Sequence, residues 1–215
     1  MAIQVKICGI NSPAAMAAAV DGGAAFIGLV FYPPSPRFVS IEQAAALAAG
    51  VPEGVIKTGL LVDADDTLIA GILRRVPLDL LQLHGSESPG RVAEIRSRFA
   101  RPVMKVVKIA AAADVDAAAA YEAAADRILF DAKPPKGMTG ALPGGNAIAF
   151  DWRLLAGRRW SVPWMLSGGL DAGNVAEAVR TAGAPAIDVS SGVEDRPGVK
   201  NPEKIRDFLK AARAV

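Results

Sequence analysis

The chain has 215 residues, 52% of them hydrophobic, with a net charge of +2 and a pI near 8.8, which suits one well-filled domain over residues 1–215. Its 24 basic residues are scattered, so a nucleic-acid surface is not expected, and the pI fits a small anionic substrate only loosely. No apolar stretch reaches the roughly 18 residues of a membrane span, no leader pattern opens the chain, and one Cys with one His makes neither a disulfide nor a familiar zinc site. A soluble, cytoplasmic protein without metal or membrane contact is therefore expected.

Short runs of β character alternate with longer Ala-rich segments. Ile3–Cys8 comes first, and Ser12-Pro13 then signals a helix over Pro13–Asp21 that stops at Gly22-Gly23. Phe26–Phe31 is followed by the Pro-rich stretch up to Phe38, and Ser40 with Gln43 opens a helix over Ile41–Ala49, ending at Gly50. Next come Ile56–Val62 with a helix over Asp66–Arg75, and Leu78–His84 with a helix over Pro89–Phe99. Val103–Ile109 precedes a helix over Val115–Ala124, and Arg127–Asp131 leads into the Gly/Pro-rich connection 134–150 before a short helix at Trp152–Ala156. Trp164–Ser167 and a helix over Gly173–Thr181, closed by Gly183, are followed by Ala186–Ser190 and, behind Asn201-Pro202, a last helix over Pro202–Arg213.

Eight such units follow one another, and the runs are near-continuously apolar, as parallel strands covered on both sides must be. The pattern predicts an α/β fold, a single-domain (β/α)8 TIM barrel of close to minimal size. An open doubly wound sheet is the competing architecture. It would place a glycine fingerprint after the first strand, where this chain has Cys8-Gly-Ile-Asn-Ser12. In a barrel the long 134–150 connection lies on the catalytic face and reads as a lid.

Four runs end on reactive or polar groups: Cys8, His84, Asp131 and the pair Ser190-Ser191. Alternation puts Gln4, Lys6 and Cys8 on the interior face of the first strand, with the Lys6 ammonium expected to favour a Cys8 thiolate. Cys8 as base and Asp131 as acid could move one proton between two atoms of a substrate held at the barrel mouth. The plain alternatives are a small core residue for Cys8 and a loop cap for Asp131. His84 is a candidate ligand contact or a hydrogen-bonded structural residue. Arg37, on the stiff Pro-rich loop, could face a planar carboxylate or simply lie on the surface. Ser167-Gly168-Gly169 and Ser190-Ser191-Gly192, after the seventh and eighth runs and each leading towards a helical segment, match the habit by which barrels bind phosphate through backbone N–H groups. Asp188 shares a face with Ser190 and could sit beside the ligand or make a buried structural bond. Trp152, Trp160 and Trp164 read as core, and Phe38 as a loop-tip apolar residue that a dimer could cover.

With these residues in view, the whole chain resembles the phosphoribosylanthranilate isomerases. The resemblance is carried by Val5-Lys-Ile-Cys-Gly9, Gly28-Leu-Val-Phe-Tyr-Pro-Pro-Ser-Pro-Arg37, Gln82-Leu-His-Gly85, Leu129-Phe-Asp131, Ser167-Gly-Gly-Leu170, Asp188-Val-Ser-Ser-Gly-Val-Glu194 and Pro197-Gly-Val-Lys200. It implies an Amadori rearrangement in tryptophan biosynthesis, without cofactor or metal, on a small substrate carrying a phosphate and a carboxylate. By that resemblance Asp131 is the general acid, Cys8 the general base, Arg37 the carboxylate contact and the two Ser-Gly loops the phosphate site. A monomer or a homodimer is expected. The sister isomerase of histidine biosynthesis would carry an aspartate where Cys8 stands. Indole-glycerol-phosphate synthase would need a lysine acid and a glutamate, and a silent phosphate-binding barrel has no use for both Cys8 and Asp131.

Overall fold

A computed structural model of the chain describes residues 3–135, 137 and 142–215. Eight parallel strands close on themselves in sequence order: β1 (Gln4–Cys8), β2 (Phe26–Val30), β3 (Ile56–Leu61), β4 (Leu80–Leu83), β5 (Val103–Ile109), β6 (Arg127–Ala132), β7 (Trp164–Leu166) and β8 (Ala186–Val189). Closure is made by β8 pairing with β1, with Lys6 opposite Asp188. The (β/α)8 barrel is thus observed, and the open sheet is excluded because β1 and β8 share a ladder.

The strand interior is filled in layers. Phe26, Leu80, Met104, Val106, Leu129, Met165 and Ala186 form one apolar cluster there, and the Arg127 guanidinium lies 5.2 Å from the Phe26 ring. Lys6, Thr58, Gln82 and Asp188 are buried polar residues of the same strands. Outward-facing Val5, Ile7, Ile27, Leu29, Leu81 and Leu83 meet the helices in the main core. Period-two alternation is therefore realised on every side of the closed sheet.

Helices α1 (Pro13–Asp21), α2 (Ile41–Ala49), α3 (Asp66–Leu73), α4 (Pro89–Phe99), α5 (Ala112–Ala117), α6 (Val175–Ala182) and α7 (Pro202–Arg213) cover the barrel. Their starts follow local chemistry. Ser12 accepts from the Ala15 N–H, Ser40 and Gln43 form a reciprocal capping box, and Asn201 accepts from the N–H groups of Glu203 and Lys204.

Several boundaries depart from the expected ones. The helix expected over Val115–Ala124 starts at Ala112, because the Asp114 carboxylate accepts from the N–H groups of Ala110 and Ala111. It then tightens into a 3-10 turn at Ala118–Tyr121, whose Tyr121 hydroxyl donates to the Glu87 carbonyl. The short helix expected at Trp152–Ala156 is a 3-10 turn at Trp152–Leu155, begun by the Asp151 carboxylate accepting from the Arg153 N–H. Asp66–Arg75 ends as a helix at Leu73, and the helix expected from Gly173 begins at Val175, after a turn in which Asp171 accepts from the N–H groups of Gly173 and Asn174. Strand ends also move by one or two residues: Leu78 lies outside β4, while Ser167 and Ser190 lie just beyond β7 and β8. An antiparallel hairpin, β9 (Glu194–Arg196) with β10 (Val199–Lys200), was not foreseen. Trp160 and Trp164 pack on Phe130 with ring centroids 4.9 and 5.6 Å away, so they serve the core. Phe38 is 41% exposed.

Candidate active site

The C-terminal ends of the strands surround one cavity. Cys8, Arg37, Gln82, His84, Asp131, Ser167, Gly168, Gly169, Asp188, Ser190 and Ser191 line it together. Gly192, the remaining residue of the predicted set, follows immediately and packs against the loop after β7: a methyl group there would collide with the Leu170 carbonyl. Two Ser-Gly loops thus meet backbone to backbone, which only a residue without a side chain allows. The loop after β8 leads only into a 3-10 turn at Ser191–Val193 and the hairpin, not into a long helix.

Cys8 is 4% exposed, at the end of β1, with Gly28 opposite it on β2. A Cβ at residue 28 would lie 2.9 Å from the Cys8 sulfur and 3.1 Å from the Lys6 ammonium, so this neighbour has to be glycine. Burial pushes the Cys8 thiol above its ordinary pKa, outweighing the pull of Lys6. That corrects the expectation of a standing thiolate. Lys6 donates to Asp188 Oδ1 at 2.8 Å, so much of its charge is already balanced. Burial alone would lower the Lys6 pKa, but the Asp188 carboxylate raises it. Asp188 Oδ2 accepts from the Ser167 hydroxyl at 3.1 Å. Asp188 therefore borders the cavity with both oxygens engaged.

Asp131 is 6% exposed. Its Oδ1 accepts from the Ala132 N–H at 2.9 Å, and Oδ2 lies 3.3 Å from His84 Nε2, close but not aligned as a hydrogen bond. On the other side of the ring, Gln82 Nε2 lies 3.4 Å from His84 Nδ1. The imidazole thus stands between the Gln82 amide and the Asp131 carboxylate. Gly144, from the 134–150 connection, rests directly on this pair: a Cβ on it would lie 2.8 Å from His84 Nε2 and 2.9 Å from Asp131 Oδ2. Residues 142–148 of the connection border the cavity, where a lid was expected; residues 136 and 138–141 lie outside the described residues.

Arg37 is buried, not a surface residue, and its guanidinium is held by Glu194: Nε to Oε1 and Nη2 to Oε2, both 2.8 Å. Nη2 also donates to the Gly145 carbonyl at 3.2 Å. Lys200 donates to Glu194 Oε1 at 2.7 Å and to the Ser190 carbonyl at 2.8 Å. Burial lowers the Lys200 pKa to about 8, although Glu194 opposes that shift. Burial would raise Glu194, but the Arg37 and Lys200 cations hold it below its usual value. Glu194, Lys200 and Gln82 stood inside quoted motifs without any assigned part. Only their pairing across the fold reveals them.

Among the described residues no group of three or more His, Cys, Asp and Glu side chains could hold a metal ion, and no helix is long and apolar enough to cross a membrane. What the cavity can do is acid–base chemistry between a thiol and a carboxyl, with the Arg37 guanidinium in its lining.

Comparison with known proteins agrees with this arrangement. Residues 5–211 match the family described as N-(5'-phosphoribosyl)anthranilate (PRA) isomerase. The N-(5'-phosphoribosyl)anthranilate isomerase of Rhodospirillum centenum is 62% identical over 215 residues, covering 100% of both chains. The phosphoribosyl anthranilate isomerase of Thermotoga maritima superposes with a TM-score of 0.87 at 34% identity, over 99% of this chain and 100% of that one. A crystal structure of phosphoribosyl anthranilate isomerase in complex with reduced 1-(o-carboxyphenylamino)-1-deoxyribulose 5-phosphate gives a TM-score of 0.84 at 32% identity, over 99% and 100% of the two chains. A closed barrel with a thiol and a carboxyl in one cavity, matched over nearly its full length, makes this chain a member of the phosphoribosylanthranilate isomerase family.

Proposed function

We propose that this protein converts N-(5'-phosphoribosyl)anthranilate to 1-(2-carboxyphenylamino)-1-deoxyribulose 5-phosphate, an aldose–ketose isomerisation of the Amadori type. The observation that carries this reading is Cys8 and Asp131 lining one cavity together with Arg37 and the two Ser-Gly loops. Family membership supplies the reaction; the residue roles are argued from the site.

Asp131 protonates the furanose ring oxygen. The C1–O bond breaks, and the anilino nitrogen lone pair forms the C1=N bond of an open-chain Schiff base. Cys8, once deprotonated, removes the proton from C2, and those electrons form the C1=C2 bond of an enolamine. Loss of the C2 hydroxyl proton and protonation at C1 give the ketone. His84 stands 3.3 Å from Asp131 Oδ2 and closes off one side of its carboxylate. Arg37, its guanidinium held in place by Glu194, receives the anthranilate carboxylate as a fixed cation. The Ser167-Gly168-Gly169 and Ser190-Ser191-Gly192 loops receive the phosphate, with Asp188 fixing Ser167 and Lys200 placing a cation behind Ser190.

The deciding experiment is turnover of freshly prepared phosphoribosylanthranilate, followed by loss of its fluorescence. Cys8→Ser and Asp131→Asn are each expected to lower kcat about 100-fold or more, the range of general acid–base contributions, with product affinity little changed. Wild-type turnover in both variants would remove the assigned roles.

A further inference from the structure

The charged cluster behind the cavity does more than fill space. Glu194 and Lys200 stand opposite each other on the β9–β10 hairpin and therefore share a face. The ladder shifts register between Val199 and Lys200, and the change is sharp: Val199 is 40% exposed, whereas the Lys200 side chain is fully buried. The turn of the hairpin, at Gly198, packs on the backbone of Pro36, next to Arg37. One small hairpin thus reaches both the Pro-rich loop after β2 and the Ser190 loop after β8.

Each oxygen of Glu194 is used twice. Oε1 accepts from Arg37 Nε and Lys200 Nζ, and Oε2 accepts from Arg37 Nη2 and, at 3.3 Å, from the Gly198 N–H. A carboxylate so occupied has no acceptor capacity left for a ligand, and Glu194 does not border the cavity, whereas Arg37 and Ser190 do. On Arg37, Nε and Nη2 are committed, while Nη1 meets no acceptor among the described residues. Two buried cations share one carboxylate, so the cluster keeps a surplus positive charge beside the cavity.

We infer that Glu194 is a positioning residue that sets both anion-binding ends of the site: it turns the Arg37 guanidinium so that Nη1 is offered to the substrate carboxylate, and it holds Lys200 against Ser190 behind the phosphate. The inference rests on the proposed reading in which Arg37 takes the carboxylate and the Ser190 loop the phosphate. A guanidinium without this clamp keeps its charge but loses its fixed plane, so the substrate carboxylate loses more than the phosphate does.

The test compares two inhibitors: reduced 1-(2-carboxyphenylamino)-1-deoxyribulose 5-phosphate and the same compound without its carboxyl group. Their ratio of inhibition constants measures how far the protein uses the carboxylate, and it is independent of how much protein is folded. Glu194→Gln is expected to shrink that ratio about tenfold or more, the scale of a hydrogen bond to a charged group. Arg37→Gln is expected to shrink it as far, and the double variant no further. Lys200→Met is expected to weaken both inhibitors alike and leave the ratio unchanged. If Glu194→Gln does not fold, Glu194→Asp replaces it: the shorter arm keeps the charge but cannot span both cations, so the ratio should again fall. A wild-type ratio in the Glu194 variant, with a collapsed ratio in Arg37→Gln, overturns the inference alone. A wild-type ratio in Arg37→Gln defeats the assignment of Arg37 and this inference with it.

Discussion

At the scale of single residues, the site works by opposing burial against charge. Cys8 lies beside an ammonium, yet desolvation outweighs that charge, partly because Lys6 is already bonded to Asp188. A raised pKa means that the thiol form persists at pH values where a free cysteine has begun to ionise. Since only the thiolate reacts with iodoacetamide, alkylation of Cys8 should accelerate with pH along a curve whose midpoint lies above about 8.5, the free-thiol value. Mass spectrometry of the single cysteine, across a pH series on the folded protein, reads this directly. A midpoint below that value would show that Lys6 prevails after all. The same expectation places the base-dependent limb of kcat/KM on the alkaline side, because the base must lose its proton before it can act.

At the scale of elements, strand ends supply the thiol and the carboxyl, and the loops beyond other strands supply the remaining polar groups. Cys8 ends β1 and Asp131 is the next-to-last residue of β6, while the groups proposed to bind anions come from segments just past β2, β7 and β8. Contact between the last two loops depends on Gly192, whose absent side chain lets the backbone reach the Leu170 carbonyl. Gly192→Ala should force those loops apart, since added atoms in a filled contact cost about 1–3 kcal/mol. The expected result is an inhibition constant for inorganic phosphate raised about tenfold, the equivalent of some 1.4 kcal/mol, with the fold retained by circular dichroism. An unchanged constant would mean that Gly192 has no part in shaping the phosphate site.

At the scale of the whole molecule, the barrel is sealed where its first and last units meet. β8 pairs with β1, and α7 packs on α1, with Ile205, Phe208, Leu209 and Ala212 buried beneath it. Phe208 is fully buried, far along the chain from the elements it covers. Phe208→Ala should cost about 3–5 kcal/mol. At roughly 2–4 °C per kcal/mol for a domain of this size, Tm should fall by about 10 °C. Calorimetry checks this, and a fall under about 2 °C would show that the seal does not depend on this ring. Activity of the folded variant at 25 °C should stay close to wild type, because Phe208 does not itself line the cavity.

Much of this was legible along the chain because it depends on neighbours in sequence. Apolar runs with period-two alternation, Ser and Asn caps, and glycine stops act within a few residues, so eight βα units, the exact spans of α1, α2, α4 and α7, and the polar residues at the strand ends could be read without a structure. Where a local interaction competed, boundaries slipped, as when Asp114 started α5 three residues early. What the chain alone determined was the barrel and the presence of Cys8 and Asp131 on one rim. What only the tertiary structure decided was the electrostatics: Lys6 shared with Asp188 across the closing ladder, and Arg37 joined to Glu194 from 157 positions away. Those pairings depend on distance and desolvation between segments remote in sequence, and no local pattern encodes either.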